Sequence, residues 1–448
     1  MSNIKYYSTN WRFSNKKYFS FKEALFMGMA PDKGLFMPSS IPQFSKEEII
    51  VLGGDPYYYV AFKVLRKFLN EEMDDKILYR IMRKAYDFEV PIERIDFKSH
   101  LLKLGEGPTA SFKDFAARAM AGFMNHFKEK ETTILVATSG DTGSAVGEAF
   151  KNLDGFKVYI LYPKNEVSPM QKKQLDTIGG NVKSLSIDGK FDDCQNLVKE
   201  AFSDNDLSRF NLTSCNSINI GRILPQICYY FYAYAQVNDQ QLIFSIPSGN
   251  FGNSLGCEFA RRMGLPVEKI IIATNDNDEF PKFLATGIYE KVSPSKDCLS
   301  NAMNVGNPSN LARYFELYGG HLDKDGIVHK MPDLKEMRRN IYSISTDDEL
   351  TLDYMRDVYK ISNFIIEPHT AVGIAAVHEW YQESRSKNNS VCLETAHPAK
   401  FSKLIKKELN VSLKLPSSLE SILQREGNAD ELPKEYNALK EYLLNSTL

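Results

Sequence analysis

No apolar run in this chain of 448 residues approaches the roughly twenty residues of a membrane-spanning helix, so no membrane is expected as a partner. Neither sign of charge is in surplus: Lys and Arg number 55, Asp and Glu 57, for a net charge of −2. Non-specific nucleic-acid binding depends on a basic excess, so nucleic acid is not expected either. A small anionic substrate stays open, because a few local cations suffice for one. The six cysteines (Cys194, Cys215, Cys228, Cys257, Cys298, Cys392) stand apart without a CxxC pair. That spacing argues against a disulfide framework and a zinc cluster, and for ordinary thiols. Seven scattered histidines form no HxxxH or HExxH pair, so no metal is expected. The amino-terminal MSNIKYYSTNWRFSNKK lacks the apolar core, cleavage site and Arg richness of leader peptides, which predicts a cytoplasmic protein.

What is present is an ordinary globular composition, 43% apolar and 25% charged, with enough chain to bury a core without crosslinks. Residues 1–95 read as a mainly helical accessory domain. Ser20 is a candidate N-cap for Phe21–Met27, and Ile77–Tyr86 carries apolar residues at helical spacing. Further on, short apolar, β-branched runs alternate with helical patterns: strands are predicted at Thr132–Thr138, Lys157–Tyr162, Val182–Ile187, Leu242–Ile246, Ile270–Ala273 and Val391–Glu394. A helix over Phe191–Phe202 places Phe191, Cys194, Leu197, Val198, Ala201 and Phe202 on one face. This alternation predicts an α/β fold with parallel strands and flanking helices.

Two strand-to-helix junctions carry glycines and small polar residues, Ser139-Gly140-Asp141-Thr142-Gly143-Ser144 and Ser248-Gly249-Asn250-Phe251-Gly252-Asn253. Free N–H groups at a helix start, close backbone approach at Gly and extra side-chain donors make an anion cradle; ordinary capped turns look the same when met singly. Neither junction fits an ATP or dinucleotide fingerprint. In GEGPTASFKDF, Lys113 opens a helix between two phenylalanines, where an amine's pKa falls and its nucleophilicity rises. The alternative is a solvated lysine paired with Asp114 or Glu106. In CLETAHPAKF, His397 reads either as an acid–base group or as a structural histidine before proline.

Together these segments resemble the threonine synthase family of pyridoxal-phosphate enzymes, with the tryptophan-synthase β-like fold (fold type II). The resemblance rests on DKGLFMP (Asp32–Pro38), GPTASFKDFAAR, ILVATSGDTGSAV, SINIGRILPQICYYF, SIPSGNFGN, ATNDND, LSNAMNVGNPSN, EPHTAV and ETAHPAKF, spread over roughly residues 20–410. It implies an accessory domain at 1–95, a catalytic region at 96–415 with a smaller mobile subdomain near 130–230, and a helical tail at 416–448. It further implies that Lys113 carries pyridoxal 5'-phosphate. The main-chain N–H groups of Gly249, Asn250, Phe251, Gly252 and Asn253 would hold the coenzyme phosphate, and Thr395 the ring nitrogen. Ser139, Gly140 and Thr142 would take the substrate carboxylate; Asn216, Ser217 and Arg222 would take the substrate phosphate. Asp141 departs from the Asn of some relatives. The implied reaction turns O-phospho-L-homoserine and water into L-threonine and phosphate, by a monomer or a homodimer. A serine/threonine dehydratase, a β-replacing sulfhydrylase or a non-catalytic coenzyme binder are the competing readings.

Overall fold

Two sheets, each built from buried parallel strands, organise the chain. The computed structural model describes residues 4–10 and 17–446. Residues 1–3 and 11–16 of the amino-terminal stretch read above for a leader lie outside the described residues. The larger sheet runs in the order Ile341–Ser345, Val267–Thr274, Leu242–Pro247, Ser390–Glu394, Ser99–Lys103, Ile92–Arg94. Only the last pair is antiparallel. The smaller sheet is parallel throughout, in the order Asp430–Pro433, Val182–Asp188, Phe156–Pro163, Thr132–Ala137, Leu212–Ser214. The strands Thr132–Ala137, Leu242–Pro247 and Ser390–Glu394 are buried at every residue, as expected of a sheet covered on both faces.

The six strands expected from sequence are all present, with ends that differ by up to three residues. The helix expected at Phe191–Phe202 runs Phe191–Ser203 and buries Cys194, Leu197, Val198 and Ala201. Ser20 caps Phe21–Met27 through a reciprocal bond with Glu23, a device worth about 1 kcal/mol. The amino-terminal helices dock directly on the helix that Lys113 opens. Tyr57 meets Tyr86, Phe115 and Tyr232 edge-on at 4.8, 5.0 and 5.3 Å, and the Tyr86 hydroxyl donates to the Phe115 carbonyl at 3.0 Å.

Residues beyond 416, expected to be helical, form helices Ser417–Leu423 and Tyr436–Asn445 but also supply the edge strand Asp430–Pro433. Leu419 and Ile422 pack on Ala110 and Ala399 of the large-sheet side and on Met170 of the small-sheet side. Among the described residues no helix is long and apolar enough to cross a membrane.

Candidate active site

Lys113 is the first residue of the helix Lys113–Phe127. The loop before it is stitched to the end of the central strand Ser390–Glu394. The Phe112 N–H donates to the Thr395 carbonyl at 2.9 Å, and the His397 N–H to the Ala110 carbonyl at 3.0 Å. Lysine and Thr395 are thereby brought to the carboxyl end of one strand, where ligands bind in open α/β sheets. Asp114 does not pair with Lys113. Its buried carboxylate accepts from the Thr109 N–H and hydroxyl, each at 2.8 Å, and a Cβ on Gly107 would meet it at 2.5 Å. Lys113 forms no ion pair among the described residues and stands 4.1 Å from the Phe112 ring centre. The residue as a whole is half-buried, and the amine is deep-set. Loss of hydration, with the nearby charges of Arg222 and Lys400, pulls its pKa down to about 7 against an opposing pull from Asp141. The pairing with Asp114 or Glu106 that the alternative reading of the sequence offered is not formed among the described residues.

The junction after Leu242–Pro247 leaves a run of amides without acceptors among the described residues. Phe251 is held left-handed at φ 56° and leads into the helix Gly252–Arg262. The N–H groups of Gly249, Asn250, Phe251, Gly252 and Asn253 donate to no group among the described residues. The Asn253 side chain braces the loop instead, accepting from Ser248 Oγ at 2.5 Å and donating to the Pro247 carbonyl at 2.9 Å. A Cβ at Gly249 would sit 2.9 Å from Met303 Cα, so the close approach needs glycine. Five adjacent free amides at a helix start match the oxygens of a phosphate.

The junction after Thr132–Ala137 is partly filled by the protein. Thr138 Oγ1 accepts from the N–H groups of Gly140 and Gly143, both at 2.9 Å. Ser139 and Thr142 are half-buried, with hydroxyls that no other side chain among the described residues engages. Gly140 has φ 129°, and a Cβ there would run into Gln171 at 2.6 Å. Asp141 is buried and bonds Lys400 Nζ at 2.6 Å and Gln171 Nε2 at 2.9 Å. Burial alone pushes this carboxyl up, but the Lys400 charge and these bonds outweigh it and hold Asp141 below the usual range. Lys400, 1% exposed in its side chain, also donates to the Thr109 carbonyl at 3.0 Å, joining the lysine loop to the small-sheet side. It stands in the same TAHPAKF motif as His397, and nothing in the sequence singled it out.

Arg222 is 2% exposed and donates through one Nη to the Cys215 carbonyl at 2.6 Å; its Nε has no partner. It forms no ion pair among the described residues, and burial draws its pKa to about 10. An incompletely satisfied buried guanidinium calls for an anion. Ser217 borders the glycine loop, its Cβ 3.4 Å from where a Gly252 Cβ would sit. The Asn216 side chain is committed to the Ala137 carbonyl at 2.7 Å and to Ser214, so it shapes the segment from within. Thr395, 5% exposed, has a hydroxyl free of side-chain partners among the described residues. His397 Nδ1 accepts from the Ala399 N–H at 3.0 Å and caps the short helix Pro398–Phe401, while burial lowers its pKa; it acts as a structural cap. A further dyad went unread in the sequence: Glu367 caps the helix Pro368–Ser384 and bonds His369 Nδ1 at 2.5 Å, and His369 Nε2 accepts from the Ala302 N–H at 3.1 Å.

Three family models match the chain: pyridoxal-phosphate dependent enzyme over residues 101–395, threonine synthase N terminus over 5–86, and threonine synthase, C-terminal over 370–443. Threonine synthase of Escherichia coli (strain K12) is 39% identical over 431 residues, covering 95% of this chain and 96% of that one. That of Schizosaccharomyces pombe is 34% identical over 90% of this chain and 89% of its own. The crystal structure of pyridoxal-phosphate-bound threonine synthase from Brucella melitensis superposes with a TM-score of 0.89 at 35% identity, covering 98% of both chains. Maize serine racemase, at 18% identity and a TM-score of 0.55, shares the fold alone.

Proposed function

The chain belongs to the threonine synthase family, pyridoxal-phosphate-dependent lyases of fold type II, and from that premise we propose that it converts O-phospho-L-homoserine and water to L-threonine and phosphate with Lys113 as the coenzyme-bearing residue. What carries this reading is an amine near neutrality together with two sets of anion donors, the amides of Gly249–Asn253, without acceptors among the described residues, and the incompletely engaged guanidinium of Arg222. One set suits the coenzyme phosphate and the other the substrate phosphate. Dehydratase and sulfhydrylase substrates carry no phosphate and leave the second without a purpose.

When bound, the coenzyme supplies a conjugated ring that spreads the negative charge left at the substrate Cα. The remaining work belongs to side chains and amides of this chain. Lys113, poised near pH 7, takes the Cα proton and later returns it, and serves the same shuttle at Cβ and Cγ. The hydroxyls of Ser139 and Thr142 receive the substrate carboxylate. Gly140, whose N–H already serves Thr138, contributes the turn that aims them. Arg222, with Ser217 and the backbone at Asn216, holds the phosphate while its bond to Cγ breaks and its charge grows. Thr395 would meet the ring nitrogen with a neutral hydroxyl, which would leave that nitrogen largely unprotonated. Closure of the unit near residues 130–230 over the site would exclude water early and admit it late. The enzyme is read as a cytoplasmic monomer, a homodimer being the alternative that light scattering separates.

Given O-phospho-L-homoserine, the purified holoprotein should release phosphate and threonine one for one. Lys113→Ala should abolish both, by about a thousandfold or more, with the fold retained. Normal turnover by that variant, or phosphate release without threonine, would refute the reading.

A further inference from the structure

Arg313, on the helix Leu311–Leu317, is completely buried and forms no ion pair among the described residues. Its pKa is drawn down to about 9 by burial. A buried guanidinium without a counter-charge is costly, and here neutral oxygens alone hold it. Nε donates to the Phe36 carbonyl at 3.0 Å, and Nη2 to the Ile218 carbonyl at 2.7 Å. Nη1 reaches the Ser217 carbonyl at 3.0 Å and Asn310 Oδ1 at 2.5 Å. Asn310, itself fully buried, passes the chain of bonds on: its Nδ2 donates to the Asn250 carbonyl at 2.9 Å. One guanidinium and one amide thus grip carbonyls in both of the loops assigned to anions.

In a planar trans peptide the C=O of one residue and the N–H of the next point in opposite directions. Gripping the Ser217 carbonyl therefore turns the Ile218 N–H away from Arg313, and gripping the Asn250 carbonyl turns the Phe251 N–H away from Asn310. Neither of these N–H groups donates to any group among the described residues. The two loops adjoin, Ser217 Cβ lying 3.4 Å from the position of a Gly252 Cβ.

We infer that Arg313 and Asn310 are a positioning pair for both phosphate sites. They hold carbonyl oxygens out of each anion cradle and aim the N–H groups of Ile218 and Phe251 into it, which adds the Ile218 amide to the substrate-phosphate donors. The inference rests on the reading of these two loops as anion sites. It also accounts for the missing carboxylate: a counter-ion beside Arg313 would compete for the donors that fix the peptide planes, and would cancel a positive field that both phosphates share.

The test compares ligands with and without a phosphate. Coenzyme-free wild type, Arg313→Met and Asn310→Ala are titrated with pyridoxal phosphate and with pyridoxal, followed by absorbance, and the holoproteins are assayed for inhibition by inorganic phosphate. Arg313→Met should weaken pyridoxal phosphate and inorganic phosphate by about tenfold each while pyridoxal is unaffected, the scale of a lost charge-assisted network. Arg313→Lys keeps the charge but not the fork, and should recover only part of the loss. Asn310→Ala removes the hold on the Asn250 carbonyl and one of two acceptors of Arg313 Nη1 but leaves Arg313 on the Ser217 and Ile218 carbonyls, so it should weaken pyridoxal phosphate and spare inhibition by inorganic phosphate; it keeps the question open to decision if Arg313→Met does not fold. Equal weakening of pyridoxal and pyridoxal phosphate, or no change in either, would overturn the positioning role. A wild-type protein that binds pyridoxal as tightly as its phosphate, or that inorganic phosphate does not inhibit, would instead overturn the anion reading beneath it.

Discussion

The two glycine-bearing junctions, Ser248–Asn253 and Ser139–Ser144, share a grammar and differ in what the protein does with it. Both follow an all-buried strand and open a helix. In the first, five amides are left without acceptors and no acid stands in the first helical turn. In the second, Thr138 takes two of the amides, and Asp141 sits at the helix start with Lys400 as its counter-ion. An unengaged run of amides suits a doubly charged phosphate. The half-filled junction with its fixed carboxylate is less suited to so much charge; it keeps the half-buried hydroxyls of Ser139 and Thr142 and the N–H groups of Ser139, Asp141 and Thr142, which donate to no group among the described residues. Glycine content alone does not make a phosphate site; what the neighbouring side chains leave unclaimed does.

Lys113 reports on the second junction, through Asp141 and Lys400, and on Arg222, and its titration is the largest effect to look for. In the coenzyme-free protein its acylation should show a midpoint near pH 7 in place of the usual lysine value of 10.5. The amine is protected below that midpoint and reactive above it. Asp141→Asn should lower the midpoint further and Arg222→Met should raise it, while a midpoint in the ordinary lysine range would break the picture.

Next comes the ion pair that distinguishes the second junction. Lys400→Met leaves a buried carboxylate alone and should cost about 3–5 kcal/mol in urea unfolding. In the wild type Asp141 has a folded pKa below its unfolded value, so its contribution is present above the unfolded pKa and is lost as pH falls through the folded one. In the variant burial outweighs the Gln171 bond that remains, and the sign reverses. The deficit should be greatest at high pH and shrink as the pH falls and the carboxyl takes up a proton. Adding Asp141→Asn should restore most of the loss, and failure of that rescue would deny the pair its role.

Gly249→Ala drives a Cβ against Met303 Cα and the Ala302 carbonyl at 2.9 and 3.0 Å. It should weaken coenzyme affinity roughly a hundredfold, several amide bonds being lost together. The smallest effect sharpens the contrast from the other side: Thr138→Val strips the acceptor from two amides and should cost about 1–3 kcal/mol of stability, with coenzyme affinity unchanged.

Much of this site could be read in the sequence, because its parts are local. Lys113 between two phenylalanines and the two glycine junctions each carry their chemistry within a few consecutive residues. The all-apolar strands were equally legible. Ser99–Lys103 and Leu212–Ser214 were not, being short and mixed in polarity and held by pairing with buried neighbours. Lys400 and Arg313 escaped for a different reason. Each looks like a surface cation in its own helix, and only acceptors drawn from remote segments make its burial tolerable. Local pattern reports what a residue is; its partners depend on which strand ends the topology brings together.

The strand Asp430–Pro433, acidic and ending in proline, would hardly be chosen as a strand by composition, yet it completes the smaller sheet against Val182–Asp188. In synthesis the rest of that sheet emerges long before the piece that covers its flank. Until the late segment arrives, a nascent chain carries a bare ladder of donors and acceptors along Val182–Asp188, an invitation to pair with a stranger. Shortening the protein before residue 430 would make that passing hazard permanent, so aggregation, more than loss of catalysis, is the failure such a truncation invites.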